Sequence, residues 1–156
     1  MNNQKICSFY ISEFHLLTIV LPYINEKILE EKEVAIILQN DISKNVETYL
    51  KNVKNLKLED EKIINIGWNK SQKENIQDIE NKDVIVIGDK KYIDMVNESI
   101  DRFNIPEILN CYKVNDIDRI DKVLESHNKV LSTTGKRDVK NFSQNAQKRK
   151  TIKTQI

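Results

Sequence analysis

Asp83-Val-Ile-Val-Ile-Gly88-Asp-Lys-Lys91 is an apolar run, a glycine, then polar residues suited to opening a helix. Lys62-Ile-Ile-Asn-Ile-Gly67-Trp-Asn-Lys70 repeats the phrase upstream, and its glycine and Gly88 are two of only 3 in the chain. A buried parallel strand that hands over to a helix has this form: a short continuous apolar stretch bounded by a turn signal. Open α/β sheets bind ligands just outside the carboxyl ends of their strands. Both phrases therefore mark a place for a site without stating its chemistry.

Working outward, residues 5–11 predict a first strand, with Ser12 in the N-cap position and Glu13 in the first turn of a helix. That helix carries Phe14, Leu17, Leu21, Ile24 and Ile28 on one face, and Pro22 is expected to kink or break it. Residues 32–38 predict a second strand, and Asp41 or Ser43 caps a second helix to about Asn52. Residues 54–61 read as a loop and 62–66 as a third strand. Ser71-Gln-Lys-Glu74 matches a capping box for a short third helix holding Ile76 and Ile79. Residues 83–87 give a fourth strand, and Asp89 caps a helix with Ile93, Val96, Ile100 and Phe103 at helical spacing. After Pro106, residues 107–114 give a fifth strand. Asn115 or Asp116 then caps a fifth helix bearing Ile117, Ile120, Val123, Leu124, His127 and Leu131, which Thr133-Thr-Gly135 ends.

Strands that alternate with helices predict a parallel sheet covered on both faces. The expected fold is a three-layer, Rossmann-like α/β domain over residues 1–135 with five parallel strands. Val34-Ala-Ile-Ile-Leu38 is more apolar than Ile63-Ile-Asn-Ile66. Burying the former and exposing the latter favours the order 3-2-1-4-5 over 2-1-3-4-5. The architecture resembles ligand-sensing Rossmann-like domains of bacterial regulatory and defence proteins, in fold only and with no shared motif.

The 156 residues are 39% hydrophobic and 31% charged, enough for one core under a heavily charged surface. Abundant Lys, Asn and Ile with little Gly, Pro and Trp is the bias of an AT-rich bacterial genome. Residues 136–156 hold seven basic side chains (Lys136, Arg137, Lys140, Lys148, Arg149, Lys150, Lys153) and one acid, Asp138. That segment carries +6 of an overall +1, and it reads as a flexible basic tail. Cys7 and Cys111 lie in predicted strands without metal-ligand spacing, as reduced, buried thiols of a cytoplasmic protein do. The first residues show no signal-peptide core, and the longest apolar stretch, 16–21, is too short to span a bilayer.

The expected carboxyl edge gathers Ser12, Glu13 and His15 after the first strand and Gln39, Asn40 and Asp41 after the second. Gly67, Trp68 and Asn69 follow the third, Gly88, Asp89 and Lys90 the fourth, and Tyr112, Lys113, Asn115 and Asp116 the fifth. Helix N-termini there offer N–H groups and positive dipole ends to an anion. Each of these residues also suits plain capping. Trp68 either stacks on a ligand or covers the core, and His127 reads as structural. No G-x-G-x-x-G follows the first strand, and no phosphate loop, receiver-domain acids or G-x-S-x-G elbow occurs.

The leading expectation is a non-catalytic or regulatory protein. It binds a small anionic ligand, a nucleotide among the candidates, or a protein partner. Its site comprises Ser12, Glu13, His15, Asn40, Asp41, Gly67, Trp68, Gly88, Asp89 and Lys90. One alternative is a metal-assisted phosphodiester or nucleotide hydrolase using Glu13, His15, Asp41 and Asp89. Another is nucleic-acid association through the seven basic residues of the tail. No cofactor is specified, and homodimerisation through an edge strand or outer helix is compatible with the class.

Overall fold

The computed structural model describes residues 4–53, 59–69 and 78–140. They form an α/β fold around a mixed, mostly parallel sheet of six strands in the order β2-β3-β4-β1-β5-β6. The strands are β1 (Gln4–Tyr10), β2 (Val34–Leu38), β3 (Asp83–Gly88), β4 (Glu107–Lys113), β5 (Lys129–Ser132) and β6 (Gly135–Asp138). The helices are α1 (Glu13–Leu29), α2 (Ser43–Asn52), α3 (Asp60–Asn65), α4 (Lys90–Ile100) and α5 (Ile120–Glu125), with a 3-10 turn at Val114–Asp116. Only β6 runs antiparallel to its neighbour. No helix among the described residues is long and apolar enough to cross a membrane.

The central strands follow from their sequence. Every residue of β3 and all of β4 but its last are buried, as continuous apolar runs covered on both faces require. Two cores flank the sheet. On one side α1, α2 and α3 bring Leu17, Ile24, Val46, Tyr49 and Ile63 onto Ile6, Ile85 and Leu109. On the other, α4 and α5 bring Ile93, Val96, Ile100, Val123 and Leu124 onto Val84, Val86 and Ile108. Pro22 does not break α1, which continues to Leu29. Burial of Leu16, Leu17, Ile19, Val20, Leu21, Tyr23 and Ile24 holds the helix on the sheet on both sides of the proline. At about 1.5–3 kcal/mol per buried large apolar side chain, that outweighs the roughly 3 kcal/mol that an interior proline costs.

Neither expected strand order holds. Residues 62–66 are not a strand: they finish α3, with only Ile63 of that helix buried. Asp60 and Glu61 in its first turn suit the positive end of a helix, and Gly67 at φ 94° follows its C-cap. The two glycine phrases therefore diverge, one closing a helix and the other a strand. The fifth helix is also shorter than expected. Its C-cap is Ser126, and Val130 and Leu131 enter β5 beside β1. Asn128 pins that change, accepting the Lys5 N–H at 2.8 Å through its side chain and giving its own N–H to the Lys5 carbonyl at 2.7 Å. Thr133 and Thr134 form the turn of a β5–β6 hairpin, with Gly135 at φ 119°. The segment expected to be a tail from Lys136 thus opens as a strand, and Val139 packs against the second core. The capping box at 71–74 and the tail from 141 onward lie outside the described residues.

Candidate functional site

At the carboxyl edge, neighbouring strands part company. After β1 the chain enters α1 on one side of the sheet, and after the adjacent β4 it goes to α5 on the other. β2 and β3 behave likewise, leading to α2 and α4. Divergence of adjacent parallel strands opens a crevice beyond their ends, so this edge has two.

The β2–β3 crevice is occupied by the protein itself. Gln39 Oε1 accepts the Asp89 N–H at 2.8 Å, and Gln39 Nε2 donates to Asp89 Oδ2 at 3.1 Å. Asp89 Oδ1 caps α4 by accepting the Tyr92 N–H at 2.7 Å. That backbone bond, then the Gln39 bond, holds the Asp89 carboxyl below its usual range. Gly88 is there for space: a Cβ would stand 2.6 Å from Tyr92 Cδ1 and 2.8 Å from Gln39 Oε1. Exposed Lys90 pairs with Asp94 at 2.6 Å. Asp41 Oδ1 accepts the Ser43 N–H at 2.8 Å and its hydroxyl at 2.6 Å, which lowers the Asp41 carboxyl. Asn40 beside it is exposed.

The other divergence lies between β1 and β4. The register sets Tyr10 opposite Lys113 at its mouth, with the Lys113 side chain half-buried. Ser12 caps α1, its hydroxyl oxygen accepting the His15 N–H at 3.1 Å, and exposed Glu13 follows. His15 Nδ1 accepts the Ile11 N–H at 3.1 Å, so the neutral ring carries its proton on Nε2. Ile11 and Phe14 stand 66% and 63% exposed here, a notable apolar surface beside a helix N-terminus.

Gly67 and Trp68 follow α3, and the Trp68 backbone meets the β2–α2 loop. Trp68 is buried in the first core, its indole N–H donating to the Ile63 carbonyl at 2.9 Å and its own carbonyl accepting the Ile42 N–H at 3.0 Å. It covers the core and offers no face for stacking. Among the described residues no three His, Cys, Asp or Glu side chains come together as a metal site. Glu13, His15, Asp41 and Asp89 do not form such a group of three. Lys136 and Arg137 belong to β6, exposed Lys140 follows, and Lys148, Arg149, Lys150 and Lys153 lie outside the described residues.

Two polar clusters escaped sequence reasoning. At the amino edge, Lys27 of α1 lies 2.6 Å from Glu107 and 3.2 Å from Asp83, all three buried. Tyr23 donates its hydroxyl to Glu107, and Lys136 reaches the other Glu107 oxygen at 3.5 Å. Burial alone would lower the Lys27 ammonium, but the Glu107 and Asp83 carboxylates hold it above its usual value. Burial alone would raise Glu107, but Lys27 and Tyr23 hold it low. On the other side of the sheet, Asn110 of β4 bonds Asn97 of α4 at 2.9 Å and His127 Nε2 at 3.0 Å. Asp83 and Glu107 each begin a strand and Lys27 interrupts an apolar helix, which was the only available signal. Both cysteines are buried, as expected, and burial pushes the Cys7 thiol up to about 12, so neither is poised as a nucleophile.

Compared with known proteins, the chain matches no family model, no curated protein and no solved structure.

Proposed function

We propose that this protein is a binding module of Rossmann-like architecture that holds a small anionic ligand at the carboxyl edge of its sheet, in the β1–β4 crevice. The observation that carries this reading is the divergence of β1 and β4 to opposite sides, with the α1 N-terminus on one rim and Lys113 on the other. The first N–H groups of an α-helix have no carbonyl partner within the helix, and the dipole favours negative charge there. Lys113 adds a full positive charge, which offsets exposed Glu13. Ser12 and His15 hold the turn in shape through their bonds to the backbone.

Native mass spectrometry on the full chain purified from cells, compared with its denatured mass, tests the reading. The expected result is a small ligand lost on denaturation and absent from folded Lys113→Ala. A bare wild-type mass, together with no thermal shift from phosphate, pyrophosphate or nucleoside monophosphates, overturns it.

A further inference from the structure

We propose that the groove between α1 and α2 is a nucleobase slot, so that the anion bound at the carboxyl edge is the phosphate of a mononucleotide. The phosphate half of this statement rests on the function proposed above. The groove itself stands on its own geometry.

It encloses about 280 Å³, at the small end of ligand pockets and suited to a single planar group. Leu17, Tyr49 and Val53 give it an apolar floor. Asn45, Thr48 and Asn52 recur at helical spacing along α2 and line one wall. A carboxamide presents donors and an acceptor together, which is what the edge of a base requires. A wall of this kind would leave amides unsatisfied against a purely apolar occupant.

Phe14 lines the open side. Its ring rests on Tyr49 with centroids 5.3 Å apart at 50°, and the side chain remains largely exposed. Every base has a π-face that can stack on such a ring. Among the described residues that line the groove, Lys44 is the one charged side chain, and it favours an anionic occupant. Phe14 is also the second residue of α1. A base resting on it therefore has its phosphate within reach of the α1 N-terminus, and one ligand joins the groove to the crevice.

Nuclear magnetic resonance of the isotope-labelled full chain tests this. The probes are the monophosphates of adenosine, guanosine, cytidine and uridine, with adenosine and inorganic phosphate alone. At least one monophosphate is expected to move the backbone amides of residues 14–17 and 44–53, and to bind more tightly than phosphate. Phe14→Ala is expected to weaken it at least tenfold while leaving the phosphate response in place. Asn52→Leu, also at the surface, is expected to weaken it without changing the fold. If phosphate binds at the α1 N-terminus and no monophosphate binds more tightly or moves the groove, the base slot is overturned and the carboxyl-edge reading stands. Monophosphate binding elsewhere on the protein overturns the slot as well. If no probe binds, both fall.

Discussion

Lys27, in the last turn of α1, meets Glu107, the first residue of β4, at 2.6 Å inside the protein. Asp83 at 3.2 Å adds a second carboxylate, which Lys136 on the other Glu107 oxygen balances, and the Tyr23 hydroxyl closes on the same Glu107 oxygen as Lys27. The array ties α1 to the amino ends of two central strands, and through Lys136 it also ties down β6. Removing one member leaves uncompensated charge in the interior, which costs more than the intact pair contributes. Lys27→Ala is expected to lower unfolding free energy in urea by about 3–5 kcal/mol. A triple variant, Lys27→Met with Asp83→Asn and Glu107→Gln, should recover a large part of that loss. Equal destabilisation by both would mean that the array is needed for more than neutrality.

The same array gives a pH dependence with a definite sign. Glu107 is held low in the folded state, so its contribution is present above its unfolded value and lost as pH falls through the folded one. Lys27 is held high, so its contribution is full below its unfolded value and lost as pH rises through the folded one. Glu107→Gln should therefore flatten the acid limb of a stability profile and weaken the alkaline limb as well, because Glu107 is the main partner that holds Lys27 high against burial.

His127 should act in the opposite sense to Lys27. Asn110 Nδ2 donates to His127 Nε2 at 3.0 Å, so the ring proton sits on Nδ1 and is given to the Val123 carbonyl at 2.6 Å. Protonation of Nε2 would set two donors against each other, in a ring that burial already holds below its usual value. The unfolded chain takes up that proton first, so stability is complete above the unfolded value near pH 6.5 and declines as pH falls below it. Thermal melts between pH 7.5 and pH 5 should show this decline in the wild type and a shallower one in His127→Leu. Parallel curves would remove His127 as the cause.

Local chemistry was legible in the sequence, and long-range pairing was not. Ser12 and Asp89 cap α1 and α4 as expected because an N-cap bond spans only three residues. β3 and β4 were legible because strands buried on both faces need unbroken apolar runs. Ile63-Ile-Asn-Ile66 has the same composition in a shorter stretch, and a short apolar run fits helix and strand alike. Trp68 follows Gly67 as a ligand platform would, but its environment depends on where α3 packs. Strand order was out of reach for the same reason: β1 pairs with β4 and β5, both distant in the chain. At the site, the caps of α1 and α4 were readable; those of α2 and α5 were not, since Ile42 and Arg119 stand there without a side-chain cap bond, and neither was the divergence of β1 and β4. That divergence is a property of the sheet order.

Gly88 and Gly67 should answer differently to the same change. Gly88→Ala places a methyl 2.6 Å from Tyr92 Cδ1 and 2.8 Å from Gln39 Oε1, an overpacking expected to cost about 1–3 kcal/mol. Tyr92→Ala in the same chain should return part of that loss, because the ring is then no longer in the way. Gly67→Ala meets no atom within 4 Å, but it must hold φ 94°, with a backbone penalty of roughly 1–2 kcal/mol that no neighbouring truncation relieves. Rescue of Gly67→Ala by a side-chain truncation, or failure to rescue Gly88→Ala, would contradict the distinction.

Pro22 offers a gain rather than a loss. It is exposed on α1, and it lacks the N–H that would bond the Thr18 carbonyl one turn earlier. Both flanks of the helix are already fixed by buried side chains, so the backbone is in place to use a restored donor. Pro22→Ala is therefore expected to stabilise the protein, by up to about 3 kcal/mol if the restored bond is well formed. Urea unfolding with an unchanged m-value would assign the gain to the folded helix. A loss of stability would mean that the proline sets an axis direction in α1 that the first core requires. In that case Ile19 and Tyr23, buried on either side of it, should show the repacking first.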